Sequence, residues 1–218
     1  MPRSRNKETE RQICRAAWDL FLEKGVQDTS YTNIAKRSGV TRPLVQRYFP
    51  HKELFVSECV DAIRDAAVRV ADERFGDELH PLVRLYLRGQ VNIAAYFCTE
   101  GIRLAMRDVF ASRVLTEHLI ARNFLWTLDE VMPVRQKIVR EDEPDELIMA
   151  MGGLYELLFS YLVRGSMPDV PLRILPGILT FSELFDIELP QENIKTYALP
   201  EDELLELARR AVELVSWE

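Results

Sequence analysis

With 218 residues, 47% hydrophobic and 29% charged, the chain is long enough for one or two cored domains and too apolar for intrinsic disorder. Three scattered cysteines and three scattered histidines argue against a disulfide framework or a metal-ligand set, and no apolar run approaches the ~18 residues of a membrane helix. The net charge of −7 hides a basic head: residues 1–55 hold 11 Lys/Arg against six Asp/Glu, the remaining residues 17 against 29.

A basic head on an acidic body suits a head that meets a polyanion and a body that does not. The basic N-terminus MPRSRNKE lacks the apolar core of a signal peptide, so the reducing cytoplasm is the expected compartment.

Helical periodicity dominates in chain order. Ile13, Ala16, Ala17, Leu20 and Phe21 recur at i, i+3, i+4, i+7 and i+8, which predicts a helix over 7–24 stopped by Gly25. Thr29–Ser30 offers an N-cap for a short helix ending at Ser38, and Gly39 supplies a left-handed turn. Thr41 is placed to cap the next helix, where Pro43 fits because first-turn N–H groups lack partners inside a helix. Phe49 precedes Pro50, which disfavours helical geometry, so this third helix is confined to about 41–48.

A longer helix follows over 52–74, with Phe55, Cys59, Ile63, Ala66, Ala67 and Val70 inward, and Phe75–Gly76–Asp77 breaks it. Further helices are expected over 81–97, 101–110, 114–131, 144–165, 172–185 and 201–217, with breaks at 132–133, 141–145, 167–171 and 189–190. No alternating strand pattern persists. The fold class is therefore all-α, with an N-terminal three-helix helix-turn-helix head and a C-terminal body of about six helices. The expected division is 1–52 and 53–218.

Two short helices joined at a glycine form a helix-turn-helix, with Ile34, Val40, Val45 and Phe49 as its small core and Ala35 allowing close crossing. The outward residues of the third helix are expected to be Arg42, Pro43, Leu44, Gln46 and Arg47, with Tyr48 at its end. Such a helix fits a DNA major groove about 12 Å wide. Arg42 can present a fork to guanine and Gln46 can pair with adenine; Thr32, Arg47, Tyr48 and Lys52 are placed to reach phosphates. Geometry alone leaves open a trihelical unit that touches only protein.

The segment ICRAAWDLFLEKGVQDTSYTNIAKRSGVTRPLVQRYFPHKELF, 13–55, resembles the DNA-binding head of the TetR/AcrR family of bacterial repressors. The likeness runs through Ala-Ala and Leu-Phe, Lys-Gly, Thr-Ser, Ile-Ala, Gly-Val, Tyr-Phe and Lys-Glu-Leu. It implies a homodimer with two heads about one DNA turn apart, a palindromic double-stranded operator, and a helical body that binds a small-molecule effector and forms the dimer. By position it implies that Thr32, Thr41, Arg42, Pro43, Leu44, Gln46, Arg47, Tyr48 and Lys52 form the DNA face. The family usually carries Tyr where this chain has Gln46.

The resemblance also implies an effector cavity among the helices from 52 to about 165. Its candidate walls are Tyr86, Tyr96, Phe97, Met106, Phe110, Phe124, Trp126, Tyr155 and Phe159, and its candidate polar groups are Asn92, Arg103, His118 and Asn123. Arg103, close to Met106 and Arg107 on its helix, points to an anionic ligand if it faces inward. Gly152–Gly153 interrupts an apolar helical run, which suits a close crossing at a dimer seam, room for a ligand, or a kink. The seam is expected to use 144–165 and 172–185 from each copy. The acidic amphipathic segment 201–217 docks on its own body or joins that seam.

No cofactor, metal or membrane partner is expected, and no phosphate loop or nucleophile elbow suggests an enzyme. The alternative to a ligand-responsive repressor is a DNA-binding factor with no effector.

Overall fold

A computed structural model describes residues 6–76, 78–131 and 144–215, including all their side chains except those of 144–148 and 150. The described residues form ten α-helices, one 3-10 turn and no strand. In order these are α1 (Lys7–Lys24), α2 (Tyr31–Ser38), α3 (Arg42–Tyr48), α4 (Lys52–Phe75), α5 (Pro81–Ala95), α6 (Glu100–Ala111), α7 (Arg113–Val131), α8 (Pro144–Arg164), α9 (Val170–Leu184), a 3-10 turn at Ile194–Tyr197 and α10 (Glu201–Glu213). The expected break at 132–133, and 141–143 of the one expected at 141–145, fall outside the described residues, whereas Pro144 and Asp145 already belong to α8 and the last helix ends at Glu213, short of the expected 217.

The head is a three-helix unit built on α1. The side chains of Ile13, Ala16, Ala17, Leu20 and Phe21 are all buried. Asn6 caps α1 by accepting the Glu8 and Thr9 N–H groups, and Gly25 closes it with φ +83°, a conformation that strains any side chain with a Cβ. Ser30 caps α2 in a reciprocal box with Asn33, and Gly39 ends it in the left-handed region at φ +70°. Thr41 occupies the cap position of α3 but its side chain makes no capping bond; the Pro43 ring, fixed near helical φ, starts that helix instead.

α4 runs from the head into the body, where α5 and α10 pack against it. α9 lies against α5, α8 against α9 and α6, and α7 against α4, α5 and α6. α10 docks on its own body: Leu204, Leu207, Ala208 and Ala211 are buried, and Arg74 pairs with Glu203 at 2.9 Å. Gln90, fully buried on α5, holds the preceding segment by donating to the Tyr197 carbonyl at 3.1 Å and accepting the Leu199 N–H at 2.8 Å. Burial pushes the Cys14 thiol up to about 12 and the Cys59 thiol also well above its usual value, so both behave as packing groups.

His80 caps α5, its Nδ1 accepting the Leu82 N–H at 3.3 Å. Burial lowers its pKa below the ordinary 6.5, against a smaller upward pull from the Glu188 backbone. The folded chain therefore prefers the neutral ring. Its contribution is complete above pH ~6.5 and is lost as pH falls through the depressed folded value. The melting temperature of the wild type is expected to fall more steeply between pH 7 and 5 than that of His80→Asn, which caps without titrating. Parallel melting curves for the two proteins would rule this out.

Candidate functional site

α3 is a short helix held from beneath. Val45 is fully buried, Ile34 and Phe49 nearly so, and Ala35 closes the crossing with α2. Phe49 stacks on Phe55 of α4 with ring centroids 4.1 Å apart, and the Tyr31 hydroxyl donates to the Phe49 carbonyl at 3.0 Å. Those aromatics explain the Tyr-Phe-Pro ending of the segment: they pin the end of α3 to the start of α4.

The opposite side of α3 faces outward. Arg42, Pro43, Gln46 and Arg47 are exposed, and Arg42 and Gln46 stand one turn apart on one face. Thr32, on α2, is exposed as well, as is Thr41. Leu44 differs from expectation: it is half-buried against the core, being one residue from Val45 on the inward side of a seven-residue helix.

Tyr48 also differs. It is buried, and its hydroxyl accepts the Asn6 N–H at 2.8 Å, so it ties the start of α1 to the end of α3. It is turned inward rather than outward because Val45 and Tyr48, three residues apart, share the buried face. Lys52 is half-buried, with its ammonium on the Gln27 carbonyl at 3.3 Å; desolvation lowers its pKa, opposed chiefly by Asp108. Arg37 is held by a two-point contact with Glu23 at 2.8 and 2.6 Å.

Residues 13–59 match the family described as bacterial regulatory proteins, tetR family. The head of this chain is of the TetR type. The chain is 26% identical over 165 residues to the HTH-type transcriptional regulator PksA of Bacillus subtilis, covering 71% of this chain and 80% of that one. It is 29% identical over 170 residues to the HTH-type transcriptional repressor Rv3405c of Mycobacterium tuberculosis, covering 70% and 89%. Among solved structures, native NalD, the secondary repressor of the MexAB-OprM multidrug efflux pump in Pseudomonas aeruginosa, overlays with a TM-score of 0.45 at 23% identity, covering 80% of this chain and 95% of that one. A tetR-family regulator from Streptomyces coelicolor overlays at 0.43 and 20%, covering 96% and 90%. The match over the head and the names of these relatives support DNA-binding transcriptional regulation.

The TetR-type head is docked on the body through α1 and α6. Asp108 of α6, buried, accepts the Gln27 N–H at 3.0 Å, just beyond the end of α1. Gly101 lies against the Leu22 backbone, where an added Cβ would come within 2.7 Å of the carbonyl oxygen.

The regulator's body holds a cavity of about 250 Å³ between α5, α7, α8 and α9. Leu85, Ile93, Trp126, Leu154, Ile174, Ile178 and Phe181 are among its apolar walls. Asn92, Asn123, Thr127, Tyr155 and Arg173 are its polar and charged ones. Of the expected wall residues only Trp126 and Tyr155 line it, with Asn92 and Asn123 among the expected polar groups. Tyr86, Tyr96, Phe97 and Met106 are core: the Tyr86 hydroxyl donates to the Pro171 carbonyl at 3.1 Å, and Tyr96 accepts from Asn92 at 3.3 Å. Phe124 is half-buried elsewhere, and Phe110 and Phe159 line a separate hollow with Gly152 and the other side of Tyr155. His118 is exposed.

Arg103 does not enter the body. It is exposed on α6 and its Nε donates to the Phe97 carbonyl at 2.7 Å. The buried stripe of α6 is Ile102, Ala105, Met106, Val109 and Phe110, and Arg103 is rotated about 100° from Ile102. The cation in the cavity is Arg173 of α9, which the sequence reading missed. Its signature was available as a lone arginine in the apolar run VPLRILPGILTF. Gly153 lines the cavity and is exposed; a Cβ at Gly152 or Gly153 meets no atom within 4 Å, so neither glycine is required by packing within one copy.

Proposed function

We propose that this protein is a cytoplasmic repressor that binds a palindromic operator as a homodimer through α3 and responds to a small molecule held in the body cavity. Residues 1–52 form the DNA-binding domain and 53–218 the effector and dimer domain. The observation that carries the reading is the exposed face of Arg42, Pro43, Gln46 and Arg47 on a helix whose other side is anchored by Val45. The repressor named among the relatives supports the direction of regulation. On this reading Gln46, where the family usually has Tyr, meets a base.

For the dimer, the outward sides of α8 and α9 supply the supporting feature. Met149, Val163 and Leu172, large apolar side chains on these two helices, are 75%, 60% and 53% exposed. Gly152 and Gly153 leave the α8 backbone open on that side, which suits a close approach by the second copy.

The test is a pair of head substitutions, assayed by binding titrations on duplexes enriched from a random pool. Arg42→Ala is expected to lower affinity for the enriched duplex by ~1–3 kcal/mol and to relax choice at one base pair per half-site. Equal loss on all sequences would assign Arg42 to phosphate only. Lys52→Ala is expected to weaken every duplex alike and to flatten the salt dependence by about one charge per head. If the slope stays the same, the Lys52 ammonium remains on the Gln27 carbonyl and does not reach the DNA.

A further inference from the structure

The body cavity leaves one buried donor and one buried acceptor without protein partners. We propose that it takes a small apolar carboxylic acid bearing a hydroxyl, with the carboxylate on Arg173 and the hydroxyl donating to Asn92. This rests on the reading of the cavity as the effector site and adds the chemistry of its ligand.

Asn92 is 4% exposed. Its Nδ2 donates to the Tyr96 hydroxyl at 3.3 Å, while its Oδ1 has no partner. The Nε of Arg173 is likewise buried and unpartnered. Buried polar atoms are nearly always paired in a finished protein, so an unpaired acceptor and an unpaired donor in one cavity describe the complement of a ligand.

The other polar groups of the lining are already engaged. Asn123 donates to the Tyr155 hydroxyl and accepts from Arg64 at 3.5 Å, and the Thr127 hydroxyl donates to the Asn123 carbonyl at 2.9 Å. Burial raises the Tyr155 pKa far above its usual value, so that phenol stays neutral.

Charge fixes the sign of the ligand. Among the described residues lining the cavity, Arg173 is the one that is charged. Asp169, one turn before it, uses its carboxylate to cap α9 by accepting the Leu172 N–H at 3.2 Å. A guanidinium facing an apolar space, with no acid among the described lining residues, selects an anion, and its planar fork suits a carboxylate. The walls accept hydrocarbon, and about 250 Å³ holds a molecule equal to roughly eight waters in bulk, on the order of ten heavy atoms.

The test is calorimetric titration of the full chain with 3-hydroxyoctanoate, its methyl ester, and octanoate, beside DNA-binding titrations on an enriched duplex. The hydroxy acid is expected to bind about tenfold or more tightly than its ester, and at least about threefold more tightly than octanoate. Arg173→Met removes the acid-over-ester preference; Arg173→Lys retains part of it, which separates loss of charge from misfolding. Asn92→Leu removes the preference for the hydroxyl and leaves that for the acid. Wild-type protein that binds ester and acid equally, or binds none of the three probes, overturns the proposal. The expected ratios without any change in DNA affinity leave the ligand assignment standing and sink the effector reading. Ester and acid that bind equally and both shift DNA affinity do the reverse.

Discussion

Arg64→Met is expected to lower the unfolding free energy by about 3 kcal/mol and to weaken communication between the cavity and the head. Arg64 is 9% exposed on α4. Its Nη1 lies 2.7 Å from the Asp61 carboxylate and 3.5 Å from Asn123 Oδ1, its Nη2 lies 3.2 Å from Asp65, and its guanidinium sits 6.0 Å over the Trp126 ring. Methionine keeps most of the stem's packing and removes the charge. The Asp61 carboxylate, 7% exposed, is then left with Arg122 alone. Removing one partner of a buried ion pair typically costs ~3–5 kcal/mol; the surviving Arg122 contact places this case at the lower end. For a chain of this length that is a fall in melting temperature of roughly 6–12 °C.

Urea unfolding with an unchanged slope would read the loss as stability alone. Adding Asp61→Asn should recover part of it by removing the stranded charge. A loss under about 1 kcal/mol, or no recovery in the double variant, would show that Arg64 is not the partner Asp61 depends on. The functional part follows from position. Asn123 and Trp126 are walls of the cavity, and α4 begins at Lys52 beside the head. Arg64 is thus a direct contact between the cavity lining and the helix that enters the DNA-binding unit. On the proposed function, a ligand that moves α7 shifts α4 through it, provided the two geometries of the proposed dimer differ in ligand affinity.

The head was largely legible in the sequence and the cavity largely was not, for a physical reason. In the head the determinants are local. The i, i+3, i+4 stripe of α1, the left-handed Gly39, Pro43 at a helix start and Phe49 before Pro50 each act within one or two turns, and together they fix the element bounds. The errors there fall at the third helix's two faces, where Leu44 and Tyr48 turn inward because seven residues give too short a pattern to phase. The body depends on which faces of helices far apart in the chain, α4 and α10 among them, come together, and periodicity assigns a buried stripe without naming its partner. Tyr86, Tyr96 and Met106 are buried as large core residues, but against other helices and not around the hollow. Arg103 and Arg173 both stand among apolar residues in sequence. Only packing distinguishes the exposed one, beside the α6 stripe, from the one turned toward α5 and α7. The C-terminal helix shows the same limit: its amphipathicity was plain, and its docking site on α4 and α5 was not.

Gly101→Ala is expected to open the joint between head and body. A Cβ built at Gly101 lies 2.7 Å from the Leu22 carbonyl oxygen and 3.1 Å from the Leu22 Cβ. The nearer atom is backbone in the last turn of α1, so it has no rotamer by which to escape. Reaching ordinary carbon–oxygen contact near 3.3 Å requires α1 and α6 to separate by roughly 0.6 Å. Forcing a methyl into packed surroundings costs ~1–3 kcal/mol, so a loss of about 2 kcal/mol and roughly 4–8 °C in melting temperature is expected. The same separation pulls the Gln27 N–H away from Asp108, which accepts it at 3.0 Å just past the end of α1. The head is then less firmly oriented on the body. In the proposed dimer, which presents two heads one DNA turn apart, this should cost specific affinity more than non-specific affinity. Gly177→Ala is the matched control: it lies within α9, its Cβ meets no atom within 4 Å, and replacing a mid-helix glycine by alanine gains up to about 1 kcal/mol. Equal stability changes in the two variants, or a Gly101→Ala protein that keeps its full preference for specific over non-specific DNA, would show that the contact between α1 and α6 does not set the position of the head.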